Sequence, residues 1–177
     1  VLAQASGRSA RRVSGAPLDI KGSMRLGAQV MSGSSPNVIG VLVGTDPVLS
    51  RQAVVLPAHV AHRGMRTGPS AAGVRKGAVD NAAGVSALLE LARSFAKNPP
   101  KRSLIFAAVT GHEQGLLGTE YLLDIGFPRG LQPVAGINLD SPLVTFPFID
   151  MAVHGASSTN LMPVVSQVLK RNRVGIN

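Results

Sequence analysis

The segment Ser103-Leu104-Ile105-Phe106-Ala107-Ala108-Val109 most restricts how this chain can fold. It is a short, strongly apolar run between Lys101-Arg102 and Gly111, and it reads as a strand. Val38 to Val43 is a β-branched run ending at Gly44 and reads as another. Ala53-Val54-Val55-Leu56 reads as a buried strand stopped by Pro57. Val134 to Leu139 is a fourth, and Ile149 to Val153 a fifth. Between them the period changes. Val85, Leu88, Leu89, Ala92, Phe95 and Ala96 recur at helical spacing until Asn98-Pro99-Pro100. Leu116 to about Asp124 reads as a second helix. A last one carries Leu161, Val164, Val165, Val168 and Leu169 on one face, with Pro163 in its first turn and Thr159 or Asn160 as cap. Strands alternating with helices predict an α/β domain with a mainly parallel or mixed sheet. Residues 1 to about 36 are polar and Gly/Ser-rich, a flexible or edge-strand segment in which Leu18 and Ile20 alternate.

Where the apolar strands stop, polar residues come next. His59 comes after the second strand, His112 and Glu113 after the 103–109 strand, and Asp140 after the fourth. Asp80 opens the first helix. In open α/β sheets, ligands bind at the carboxyl ends of the strands. Imidazoles and carboxylates converging there from separate segments suit zinc, or less often manganese or cobalt. Each residue also has a structural reading: Asp80 as an N-cap, Asp140 as a turn cap before Pro142, His59 as a satisfied buried histidine, Glu113 as a solvated carboxylate. His112-Glu113 begins like the H-E-x-x-H zinc motif, but Leu116 stands where the second histidine belongs. There is no G-x-S-x-G elbow and no phosphate-loop or dinucleotide fingerprint.

Composition narrows the class further. An apolar fraction of 45% with 15% charged residues excludes a disordered chain. The absence of cysteine excludes a disulfide scaffold, a Cys-ligated zinc finger and a cysteine nucleophile. No apolar run reaches the ~18 residues of a membrane helix. The formal charge of +9 raises nucleic acid as a partner. The basic residues are dispersed, however: Arg8, Arg11 and Arg12 in the polar head, Arg63 to Lys76 in a Gly-rich loop, Lys97 to Arg102 around a Pro-Pro turn, and Lys170 to Arg173 at a helix end. With six aromatics and no stacking motif, solvated surface charge is the better reading, and neither nucleic acid nor membrane is expected as a partner.

Four segments in order, Ala58-His59-Val60-Ala61-His62, Gly77 to Gly84, Glu113 to Glu120 and Ile137 to Asp140, resemble the co-catalytic di-zinc aminopeptidases, the zinc peptidases related to bacterial leucyl aminopeptidase and glutamate carboxypeptidase. The similarity runs from about Asn37 to about Gly155. It implies a three-layer sandwich, with a central mixed, mostly parallel sheet and helices on both faces, over residues 37–177. It implies His59 and Asp140 as ligands of one zinc, Asp80 as the bridge between two, and Glu113 as a ligand of the second. It also implies a usually cis Asp80–Asn81 bond, a peptide substrate, release of an N-terminal amino acid, and an exported protein by family habit.

Three departures bear on activity. The family has Glu as general base where His112 stands, and losing a general base costs ~10²–10⁴ in rate. It has Asp where Ala61 stands, and losing such a partner of a metal-binding histidine costs ~10–100-fold. Its last zinc-binding histidine lies in a later segment than any before Asn177, and His154 is not in the matching context. With Val1 in place of an initiator methionine, this suggests a processed chain or a domain truncated at its C-terminus. The first metal then keeps His59, Asp80 and Asp140, and the second keeps Asp80 and Glu113 unless His112 substitutes. The expectation is at most one tightly bound zinc and an impaired aminopeptidase. The alternative is an inactive family member or fragment acting as a binding or scaffold domain.

Overall fold

The computed structural model describes residues 22–27, 32–60, 62–64, 73–142, 146–147 and 149–176. The chain divides into two compact units, Val1–Gly33 and Ser34–Asn177. In the first, the described residues are exposed and without regular secondary structure. The alternation at Leu18 and Ile20 lies outside the described residues.

The second unit is built on a four-stranded sheet. Its strands are β1 (Val38–Leu42), β2 (Gln52–His59), β3 (Ser103–Val109) and β4 (Gln132–Gly136), in the order β1-β3-β2-β4. β3 runs parallel to β2 from Ala53↔Ser103 to His59↔Val109, and β2 runs parallel to β4. Only the edge strand β1 is antiparallel, pairing Val38 with Ala108. The sheet is therefore mixed and mostly parallel.

Strand periodicity sends alternate residues of β3 to opposite faces. Leu104 and Phe106 join Leu56, Ala58 and Leu88 of helix α1 (Gly84–Lys97) in one core cluster. Ala107 and Val109 meet Leu122 of helix α2 (Leu117–Ile125) in another, and Ile105 packs with Ala53 and Val55. The two helices thus cover opposite faces, giving the expected three layers. A two-stranded parallel sheet of β5 (Asp150–Met151) and β6 (Gly175–Ile176) accompanies helix α3 (Met162–Arg171). Among the described residues, no helix is long and apolar enough to cross a membrane.

Several elements differ from the sequence reading. β2 does not stop at Pro57 but runs on to His59. The Pro57 carbonyl still accepts from Leu139 N–H at 2.9 Å, so the proline forgoes only its own donor on that side. β4 spans Gln132–Gly136, earlier than the Val134-to-Leu139 run, with a register irregularity opposite Ala53 and Val54. Ile137 and Leu139 still donate to Val55 and Pro57. The strand at 149–153 shortens to two residues. In α3 the first helical positions come after Leu161, whose N–H donates to the Thr159 hydroxyl at 3.2 Å. In α1 the inward face is Val85, Leu88, Leu91, Ala92 and Phe95, whereas Leu89 is 66% exposed.

A candidate paired metal centre

β2, β3 and β4 point the same way, so the residues just past their carboxyl ends gather at one sheet edge. His59 is the last residue of β2 and is buried. His112 and Glu113 lie in a single 3-10 turn after β3, between Gly111 and Gly115, both with positive φ. Asn37 clamps that turn. Its amide donates to Gly118 O at 2.7 Å and accepts from Thr110 N–H at 3.0 Å, while Gly118 N–H donates to Thr110 O. A Cβ at Gly118 would run into that Thr110 carbonyl, so glycine is needed for the closure.

Asp80 does not open α1. Asp80 and Asn81 have non-helical backbones (φ −113° and −138°), and the bond between them is cis. The capping role that sequence allows to Asp80 belongs to Asn81, whose Oδ1 accepts from Gly84 N–H at 3.1 Å. Asn81 is 1% exposed. The same oxygen accepts from Ser141 N–H at 2.9 Å, and Nδ2 donates to Leu139 O at 2.8 Å. One buried amide therefore fixes the residues on either side of Asp140 against the start of α1. Ser141 Oγ donates to Asp140 Oδ1 at 3.0 Å.

The side chains meet in two groups. In the first, His59 Nε2 lies 3.1 Å from Asp80 Oδ1 and 3.6 Å from Asp140 Oδ1. His112 joins it: its ring stacks on His59 with centroids 4.0 Å apart and planes 14° apart, and His59, His112 and Asp140 can all present ligand atoms within 4.8 Å of one another. In the second group, His62 Nδ1 lies 3.1 Å from Asp80 Oδ2 and 3.0 Å from Glu113 Oε1. Arg63 Nε donates to the other Glu113 oxygen at 3.0 Å. That guanidinium first, and His62 next to it, hold the Glu113 carboxyl below the usual carboxylate range.

The donor set fits zinc. Ligand atoms about 2.0–2.1 Å from a tetrahedral zinc lie about 3.3 Å from one another. The four histidine–carboxylate separations, 3.0, 3.1, 3.1 and 3.6 Å, surround that value. Asp80 turns one oxygen to each group, so it would be shared if both groups held an ion.

All five residues singled out by sequence, His59, Asp80, His112, Glu113 and Asp140, converge here. His112 sits with the first group, and the imidazole beside Asp80 and Glu113 is that of His62. Neither group includes His154. Sequence reasoning assigned no role to His62 or to the Asn81 side chain. The signal for His62 was its place three residues after His59, just past the end of a buried strand. Asn81 carried no comparable signal, because its partners at 139 and 141 are distant in sequence. Ala61 lies outside the described residues.

Two histidine–carboxylate groups at the carboxyl ends of the strands of a mixed α/β sheet are a framework suited to a zinc peptidase. The chain belongs to peptidase family M28, whose family model matches residues 37–175. It is 48% identical over 64 residues to a probable zinc metalloprotease of Pyrenophora tritici-repentis, and 46% identical over 61 residues to one of Phaeosphaeria nodorum. Those alignments cover 36% and 34% of this chain, but only 15% and 12% of the relatives. Among solved structures, the fold is similar to a leucine aminopeptidase precursor from Bacteroides thetaiotaomicron (TM-score 0.58, 19% identity, 80% of this chain and 57% of that one). It is also similar to a zinc aminopeptidase from Bacillus subtilis (TM-score 0.57, 21% identity, 80% and 34%).

Proposed function

We propose that this stretch of chain is a zinc exopeptidase domain that removes N-terminal residues from peptides. The observation that carries the reading is Asp80, with one carboxylate oxygen 3.1 Å from His59 and the other 3.1 Å from His62, in a chain of this family. His59, Asp80 and Asp140 would hold one zinc, and Asp80 and Glu113 would contribute to a second. Bound zinc would supply polarisation of the scissile carbonyl and acidification of a water.

The chain's own residues would do the rest. Asp80 and the Arg63-paired Glu113 provide the negative charge that retains cations at this edge. Asn81 and Ser141 orient Asp140. His112 stands at the position of the proton-transferring group, where an imidazole can accept a proton and return it to a leaving amine.

One observation favours a second reading, an inactive domain kept for binding. His112 can present a nitrogen to the same point as His59 and Asp140, and a histidine occupied as a ligand is not free to carry a proton. Hydrolysis of amino-acyl p-nitroanilides with zinc, before and after chelation, separates the two. The exopeptidase reading expects chelator-sensitive turnover that His112→Ala lowers by about 10²-fold or more. Zinc binding without turnover, weakened by His112→Ala, would support the binding domain. His112→Glu together with Ala61→Asp is expected to raise turnover without restoring full family-level activity.

A further inference from the structure

We propose that His62 is the third protein donor of the second metal subsite, binding through Nδ1 beside Asp80 Oδ2 and Glu113 Oε1. The inference rests on the zinc reading above and adds a ligand to it. The resemblance assigns this subsite only Asp80 and Glu113 from this stretch of chain, and offers His112 as a substitute.

Four observations support it. His62 Nδ1 is buried and makes no hydrogen bond, although its side chain is only 18% exposed. A buried imidazole nitrogen that faces carboxylates without a hydrogen bond to them is costly unless a cation binds between them. It faces two carboxylate oxygens, at 3.1 and 3.0 Å, which are separations suited to shared coordination. Arg63 engages Oε2 of Glu113 and leaves Oε1 turned towards His62, so Glu113 is set to bind through one oxygen. Finally, the backbone makes room. Gly77 has a φ of +62°, and a Cβ there would lie 3.0 Å from the His62 Cβ and 2.8 Å from the Asp80 carbonyl. Glycine lets the His62 loop close onto the Asp80 segment.

This would give the second subsite one nitrogen and two oxygens, the three-ligand set of open zinc sites. It also changes the count behind the expectation of at most one tight zinc, which assumed two donors at this subsite.

The test is calorimetric zinc titration of the metal-free chain and of three variants, with cobalt absorption as an independent readout of coordination. The wild-type chain should bind two zinc ions. His62→Ala should weaken one step at least tenfold and leave the other unchanged. His62→Asp, which keeps a donor, should recover part of the loss. His112→Ala should leave that step intact. The second cobalt equivalent should give a visible band whose intensity falls in His62→Ala. Circular dichroism of the metal-free variants checks that they fold. Two unchanged steps in a folded His62→Ala variant would overturn the role of His62, as would loss of the second step in His112→Ala alone. One zinc bound identically by wild type and His62→Ala would overturn it too, while leaving the zinc reading intact. Absence of any zinc binding by the wild-type chain would overturn both.

Discussion

The Asn81 amide donates to the Leu139 carbonyl at 2.8 Å, and through this contact the start of α1 holds the segment that carries Asp140. Its Oδ1, on a residue only 1% exposed, also serves the N–H groups of Gly84 and Ser141. Asn81→Ala therefore removes three hydrogen bonds and leaves the Ser141 N–H and the Leu139 carbonyl without those partners, while Gly84 N–H keeps its bond to the Asn81 backbone carbonyl. With each net hydrogen bond contributing about 1 kcal/mol, the variant should lose about 2–3 kcal/mol of stability in urea denaturation. Zinc affinity at the His59–Asp140 subsite should fall ~10–100-fold, as for other residues that orient metal ligands. Unchanged zinc affinity at reduced stability would show that Asp140 holds its position without the amide.

Leu88 and its neighbour Leu89 should behave very differently. Leu88 is 3% exposed and packs on Leu56, Ala58, Leu104 and Phe106, whereas Leu89 faces solvent. Leu88→Ala should cost about 2–5 kcal/mol. Leu89→Ala should stay within about 0.5 kcal/mol of wild type. Parallel urea melts decide it, and equal effects would place both leucines on the packed face.

These contrasts show what was legible in the chain. The 103–109 run became β3 residue for residue, because a short apolar run flanked by charge and glycine has few other solutions. The site residues were legible because most of them stand at or just past a strand end, and a parallel sheet brings strand ends together. Leu89 was misplaced because a period of 3.6 leaves two adjacent residues near the edge of an apolar stripe, and only the partner surface chooses between them. Asp80 was read as a helix start because Asp is a good cap, while the cap bond falls one residue later on Asn81. Pro57 was read as a stop because proline lacks a donor, which holds only where that donor is needed. His62 was passed over because its meaning depends on where the loop after β2 turns, and nothing local to residues 59–62 fixes that.

Asp46 gives a pH dependence away from the metal groups. Its Oδ1 accepts from the Val48 and Leu49 N–H groups, both at 2.9 Å. The Leu49 bond first, then the Val48 bond, lower its pKa below the ordinary 3.8. A depressed folded-state pKa stabilises the fold above the unfolded value, and the effect is lost as pH falls through the folded value. Asp46→Ala should therefore lower Tm at about pH 6, and the gap from wild type should shrink as pH falls below the ordinary 3.8. A gap that persists in acid would assign the effect to packing rather than to the carboxylate.

Gly77→Ala tests how the His62 loop is seated. At φ +62° any L side chain carries a left-handed cost of about 1–2 kcal/mol. Here the new methyl also meets the Asp80 carbonyl and the His62 Cβ, so relief requires the His62 loop and the Asp80 segment to separate. Gly130→Ala is the control, with a φ of +64° and nothing within 4 Å of the added Cβ. Both variants should lose similar stability from the backbone alone. Only Gly77→Ala should also weaken the zinc step assigned to His62, by at least tenfold in competition with a chromophoric chelator. Equal zinc binding by the two variants would mean that the His62 loop reaches Asp80 without the space that glycine provides.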